Sequence, residues 1–188
     1  IVCGYAEILK HSLIRDKRLF LFLDKNLISI LKLKKKFIEK AILESCKIKK
    51  QIVEKDEKET NLRKSLNFGH TFGHAYEATL NYSKKLNHGE AVLYGVLSAT
   101  KFSNKFSVLN KYDYELIMSH LSRLGFVNLN KFFKKKDLNK IISFMISDKK
   151  NDSKKINLIT LKKIGSADIS GQFNVARIRK FINLQLIK

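Results

Sequence analysis

Apolar residues return at three- and four-residue steps through most of this chain, and no proline interrupts them. That period is the mark of amphipathic helices, each with one face turned to a core. Residues 4–14 fit a first helix through Ala6, Leu9 and Leu13, and Leu19, Phe20 and Phe22 form a second apolar group within 16–22. Leu27, Ile30, Leu31, Ile38, Ile42, Cys46 and Val53 predict one or two long helices over 26–55, and the polar segment 56–62 reads as a loop. Further helices are expected over 63–80, 89–106, 112–124, 137–147 and 174–187, with Gly125 at a helix C-terminus. Only 156–171 alternates apolar with polar, and its glycines, Gly165 and Gly171, suggest a short β-hairpin. The expected fold is mainly α: a multi-helix bundle with a short β-hairpin near the C-terminus, one domain over residues 1–188.

Charge narrows the function classes less than its size suggests. The 38 Lys plus Arg against 17 Asp plus Glu give a formal charge of +21. Only six of the cations are Arg, the residue suited to bidentate phosphate and base recognition; 32 are Lys. Lys, Asn, Ile and Phe all have A/T-rich codons, so genome composition accounts for the excess and no nucleic-acid partner is expected. The basic runs at 34–36, 134–136 and 154–155 read as solvated faces. No apolar run reaches the ~18 residues of a membrane span, so no membrane partner is expected either. With polar residues Glu7, Lys10 and His11 so early, no signal peptide is expected at this end, and the start at Ile1 reads as part of a longer protein. Cys3 and Cys46 make no CxxC pair, so a reducing, cytoplasmic setting is expected.

The chemistry concentrates in 63–77. Arg63, Asn67, His70, His74 and Glu77 are spaced by four, three, four and three residues, one stripe on a helix. Elsewhere in this chain such stripes are Lys and Glu on the surface or Leu and Ile in the core. Gly69 and Gly73 leave a line without side chains, where another backbone or a ligand can come close. Two imidazoles at i and i+4 can share a metal, but Thr71 stands where a zinc protease has Glu, so that reaction is disfavoured. His88, before Gly89 and a new helix, suits a ligand held on a loop. Glu7, one turn before Lys10 and His11, reads by itself as a routine helical ion pair. Together, two His and one Glu with an open position make a catalytic zinc site, and nearby Lys and Arg suit an anionic substrate.

The runs Asn67–Ala75 and His88–Val92 resemble the signature of the 3-dehydroquinate synthase family, as does Gly4–Lys10. Lys49, Asp56-Glu57, Leu62-Arg63 and Asp148–Asn151 match the family's pattern in order. The chain departs from it at Asn61, where the family usually has Gly, and in a His74–His88 loop about one residue longer. The resemblance implies a C-terminal helical domain that carries metal and substrate, with the NAD-binding Rossmann-like N-terminal domain absent from this chain. It implies Glu7, His70 and His88 as ligands of Zn2+ (or Co2+), with NAD+ held mainly by the other domain. Lys10 would lie beside the substrate hydroxyls, Lys49 and Arg63 on its carboxylate, and Asn67 and His74 at the phosphate and reacting hydroxyl. Lys149 or Lys150 would add a further contact. The substrate implied is phosphorylated, 3-deoxy-D-arabino-heptulosonate 7-phosphate. It would be oxidised transiently at one carbon, lose phosphate, be reduced again, open and close by an aldol step to 3-dehydroquinate. A homodimer is implied for the full-length enzyme. The alternative is a related sugar-phosphate cyclase or a metal-dependent polyol dehydrogenase.

Overall fold

The computed structural model describes residues 2–147 and 154–187. Among the described residues eight α-helices run in order: α1 Val2–Arg15, α2 Lys17–Leu31, α3 Lys35–Lys55, α4 His70–Thr79, α5 His88–Phe106, α6 Lys111–Arg123, α7 Leu138–Ser147 and α8 Val175–Leu186. Short 3-10 turns lie at Leu62–Asn67, Leu129–Lys131 and Lys135–Asp137. Four strands, β1 Lys155–Asn157, β2 Thr160–Lys163, β3 Ser166–Asp168 and β4 Gln172–Asn174, precede α8. The bundle with a C-terminal hairpin is therefore the observed class. The hairpin itself is broken into two antiparallel ladders, β1 with β4 and β2 with β3.

Helix α5 is the axis. Every residue from Ala91 to Thr100 is buried, as an all-round apolar helix requires. α1, α4 and α6 pack against it, and α7 packs on α4. An aromatic layer of Phe72, Phe102, Phe106, Phe173 and Phe181, with ring centroids 4.8–6.3 Å apart, ties α4, α5, the hairpin and α8 together.

Asparagine and aspartate supply the punctuation that proline does not. Asp16 accepts from the amides of Arg18 and Leu19 at the start of α2, and Asn110 and Asn174 cap α6 and α8 in the same way. Asn87 and Glu90 form a reciprocal capping box that fixes the first turn of α5.

Two expectations change. Residues 63–80 are not one helix: a 3-10 turn ends at Asn67, and Gly69, at φ +79°, starts α4 afresh. The five-residue polar stripe is thus cut between Asn67 and His70. On α3, the buried face is Ala41, Ser45, Ile48 and Ile52, while Ile42 and Cys46 are exposed. Small residues let α3 close on α1, and that outweighs the larger apolar side chains one position on.

The glycines admit a backbone and not a ligand. A Cβ on Gly95 would stand 2.0 Å from the Gly69 carbonyl oxygen, and one on Gly73 would stand 2.9 Å from that of Ala91. α4 and α5 therefore touch main chain to main chain. Gly95→Ala is expected to lose about 3 kcal/mol or more through forced displacement, lowering the melting temperature by roughly 6 °C or more. Gly73→Ala meets a milder contact, though still with main chain, and gains about 1 kcal/mol of helix propensity, so it is expected to lose less than Gly95→Ala. Equal melting temperatures for the two variants would contradict the close approach.

Candidate metal and substrate site

Three elements bring the chemistry together. α1 carries Glu7, Lys10 and His11, the turn before α4 and α4 itself carry Arg63 to Glu77, and His88 is the first residue of α5. The glycine contact sets α4 beside the start of α5. The rings of His70 and His74 are 5.2 Å apart, those of His70 and His88 6.1 Å, and those of His74 and His88 6.2 Å. Glu7 Oε1 lies 3.7 Å from His70 Nε2, and Lys10 Nζ donates to Glu7 Oε2 at 2.7 Å.

Two hollows lie beside these side chains, and His70 lines the smaller. One, about 210 Å3, is polar and lined by Glu7, Lys10, His11, Lys49, Arg63 and Asn67. The other, about 590 Å3, lies past His74 and His88 towards Tyr82 and Phe144. Of the residues expected from sequence, Glu7, Lys10, Lys49, Arg63, Asn67 and His70 meet in the first hollow, and His74 and His88 line the second. Lys149 and Lys150 lie outside the described residues.

A carboxylate sets the position of Arg63. Asp56 accepts from the Arg63 and Asn61 amides and from the Thr60 amide and hydroxyl, at 2.8–3.0 Å. These donors, the Arg63 amide first, outweigh burial and hold the Asp56 carboxyl at about 2. The guanidinium then donates to the Glu57 carbonyl at 2.7 Å, and the Asn67 amide nitrogen to Glu59 at 2.9 Å.

Burial also governs the titration of the site. It pushes His70 down to about 4, with Lys10 adding to the effect and Glu7 opposing it. Burial acts to raise the Glu7 carboxyl, but Lys10, His70 and His11 overcome this and hold it below its ordinary value. Lys10 is lowered by burial, although Glu7 opposes it. At neutral pH the first hollow therefore offers a carboxylate and neutral imidazole nitrogens.

This donor set fits a divalent metal in kind. His70 Nδ1 faces the Phe68 carbonyl at 3.4 Å and His88 Nδ1 faces Glu77 at 3.0 Å, so each ring has Nε2 to spare. Among the described residues, no group of three His, Cys, Asp or Glu already encloses a metal position. Two imidazoles on one tetrahedral zinc, with zinc–nitrogen bonds of about 2.0–2.1 Å, have centroids roughly 5 Å apart. The 6.1 Å between His70 and His88 calls for a small closure, and the His88 side chain, 55% exposed, has room for it.

Two contributors carry no clear sequence signal. Glu77 belongs to the stripe, yet its partner is eleven residues away across a loop. His11 is 3% exposed, bonds Ser45 Oγ through Nδ1 at 2.7 Å, and leaves Nε2 without a partner in the wall of the first hollow. Burial, then Lys10, pushes His11 down to about 4 from 6.5. Between those values the unfolded chain takes up a proton that the folded chain refuses. The contribution of His11 to stability is therefore full above pH ~6.5 and is lost as pH falls towards ~4. His11→Gln is expected to flatten the fall in unfolding free energy across that window, with His70 and His120, also held down by burial, keeping part of it. An unchanged slope in denaturant titrations would rule out this environment for His11.

Comparison with known proteins bears on this geometry. A family model for the C-terminal domain of 3-dehydroquinate synthase matches residues 4–151. The 3-dehydroquinate synthase of Pelagibacter ubique (strain HTCC1062) is 57% identical over 189 aligned residues, all of this chain and 51% of that protein. That of Thermodesulfovibrio yellowstonii is 37% identical over 97% of this chain and 50% of its own length. The chain thus spans about half the length of the curated relatives it matches. Among solved structures, the 2-epi-5-epi-valiolone synthase ValA of Streptomyces hygroscopicus, with NAD+ and Zn2+ bound, superposes with a TM-score of 0.82 at 18% identity, over 98% of this chain and 50% of that one. A 2-deoxy-scyllo-inosose synthase complexed with carbaglucose-6-phosphate, NAD+ and Co2+ gives 0.72 at 20% identity, over 98% of this chain and 51% of that one. These likenesses show the same fold, and the family match with the 57% relative shows more: the chain belongs to the 3-dehydroquinate synthase family and corresponds to its C-terminal domain.

Proposed function

We propose that this chain is the metal- and substrate-binding part of a 3-dehydroquinate synthase, a phosphate-eliminating carbon–oxygen lyase of the shikimate route to chorismate and the aromatic amino acids. Its substrate would be 3-deoxy-D-arabino-heptulosonate 7-phosphate. The observation that carries the reading is the meeting of Glu7, His70 and His88 with Lys10, Lys49, Arg63, Asn67 and His74 around two neighbouring hollows, in a chain of this family.

Glu7, His70 and His88 would hold Zn2+ or Co2+. When bound, the metal supplies Lewis acidity at a substrate hydroxyl, and NAD+, held mainly by the half of the relatives that this chain does not span, supplies reversible hydride uptake. The remaining work falls to this chain's own side chains. Lys49 and Arg63 bind the substrate carboxylate, with Arg63 held in place by the Asp56 loop. Lys10, tethered to Glu7, orients the hydroxyls. Asn67 and His74 face the departing phosphate and the reacting hydroxyl, where His74 moves the proton. Lys149 or Lys150 adds a further contact to the anionic substrate. The partner in the assembled enzyme is a second copy, and the setting is the cytoplasm.

The purified chain is expected to hold about one zinc by mass spectrometry, lost in His70→Ala. Alone it is expected not to release phosphate from the heptulosonate phosphate. Joined to the other half of the Pelagibacter relative, it is expected to do so. Zinc-independent folding with no zinc uptake would remove the metal assignment. A joined enzyme that turned over polyols and not the heptulosonate phosphate would move the chain to another cyclase or dehydrogenase activity.

A further inference from the structure

Glu77 stands where stability alone disfavours a carboxylate. It is 9% exposed, and it lies in the last turn of α4, two residues from Thr79, where the helix presents its carbonyl ends. A carboxylate there is opposed by the helix dipole and by its own burial. It accepts a hydrogen bond from His88 Nδ1 at 3.0 Å. The ring of His88 is more than half exposed, while its backbone is fixed by the capping box of Asn87 and Glu90. So the backbone of His88 is set by one device and its ring by another.

The geometry points to Glu77 as the positioning residue of the site: it locks His88 as the Nδ1–H tautomer and aims Nε2 towards His70. This assignment rests on the reading of His88 as a metal ligand. A histidine free in water favours the other tautomer, with the proton on Nε2, and that nitrogen then has no lone pair to offer a metal. The carboxylate on Nδ1 reverses the preference and fixes the rotation of the ring. The Phe68 carbonyl faces His70 Nδ1 in the same sense at 3.4 Å, so both imidazoles are held from behind. The longer and charged acceptor serves the more exposed ring.

The test is Glu77→Gln beside His70→Ala in the 188-residue chain. Three measurements are made: zinc affinity by competition with a chromophoric chelator, melting temperature, and the His88 tautomer by nitrogen NMR of the metal-free chain. Glu77→Gln is expected to lower zinc affinity about 10- to 100-fold, with the melting temperature unchanged or raised. In the parent, His88 is expected to be the Nδ1–H form, and in the variant a mixture. A fall in melting temperature with zinc affinity and tautomer unchanged would reduce Glu77 to a packing residue and overturn the assignment. If the parent binds no zinc and His70→Ala therefore changes nothing, the metal reading fails by itself. The NMR then still decides whether Glu77 sets the His88 ring: a locked Nδ1–H form sustains that role, and a mixture in the parent ends it.

Discussion

The main-chain contact between α4 and α5 is the constraint on which the site depends. The carbonyl of Gly69 lies where Gly95 would carry a side chain, so the two helices come closer than any larger pair of residues permits. Gly89 plays the same part for α1, since a Cβ there would stand 2.3 Å from the Cα of Cys3. Three helices thus meet near the start of α5 with almost nothing between their backbones. The side chains that leave that junction line the hollows beside it: Glu7 and Lys10 from α1, His70 and His74 from α4, and His88 from α5. Close packing and chemistry are two results of one arrangement.

Polar scaffolding then refines what packing places roughly. Asp56 draws four donors of the segment 60–63 onto one carboxylate and so fixes where Arg63 leaves the backbone. A similar division of labour holds at the far side of the bundle. Tyr5 donates its hydroxyl proton to His120, and His120 donates in turn to Asp24, both at 2.8 Å. The Asp24 carboxylate can only accept, which places the His120 proton on Nδ1 and leaves Nε2 to accept from the Tyr5 hydroxyl, itself kept protonated by burial and Asp24. This chain of bonds ties α1 to α2 and α6 two residues before Glu7, and holds the helix in register with the cleft.

Much of this was legible in the sequence, for a physical reason. A three- and four-residue period that should be Leu or Lys but reads Arg, Asn, His, His, Glu announces chemistry, and the family resemblance added roles to the same positions. The helices were visible by period, since no strand pattern competes with them before residue 155. The breaks were harder. Gly69 looks like a helical glycine until its positive φ is seen, and the caps are Asn and Asp residues common throughout this chain. The buried face of α3 was hidden because Ala41 and Ser45 carry less hydrophobic signal than exposed Ile42. His11 and Glu77 were hidden as contributors because their partners, Ser45 and His88, are brought to them only by the fold.

The pairing of Glu7 with Lys10 on one turn of α1 has an electrical consequence. At 2.7 Å the two charges form a doublet whose field decays faster with distance than that of a lone ion. An anion approaching from solution hardly senses Lys10. It is drawn instead by the cations that stand apart on the rim, Lys49 and Arg63, over a range set by the ionic strength. Only at contact, where one end of the doublet is nearer than the other, does Lys10 act as a positive charge. On the proposed reading, long-range capture and short-range orientation of the substrate would thus fall to different cations of the same cleft.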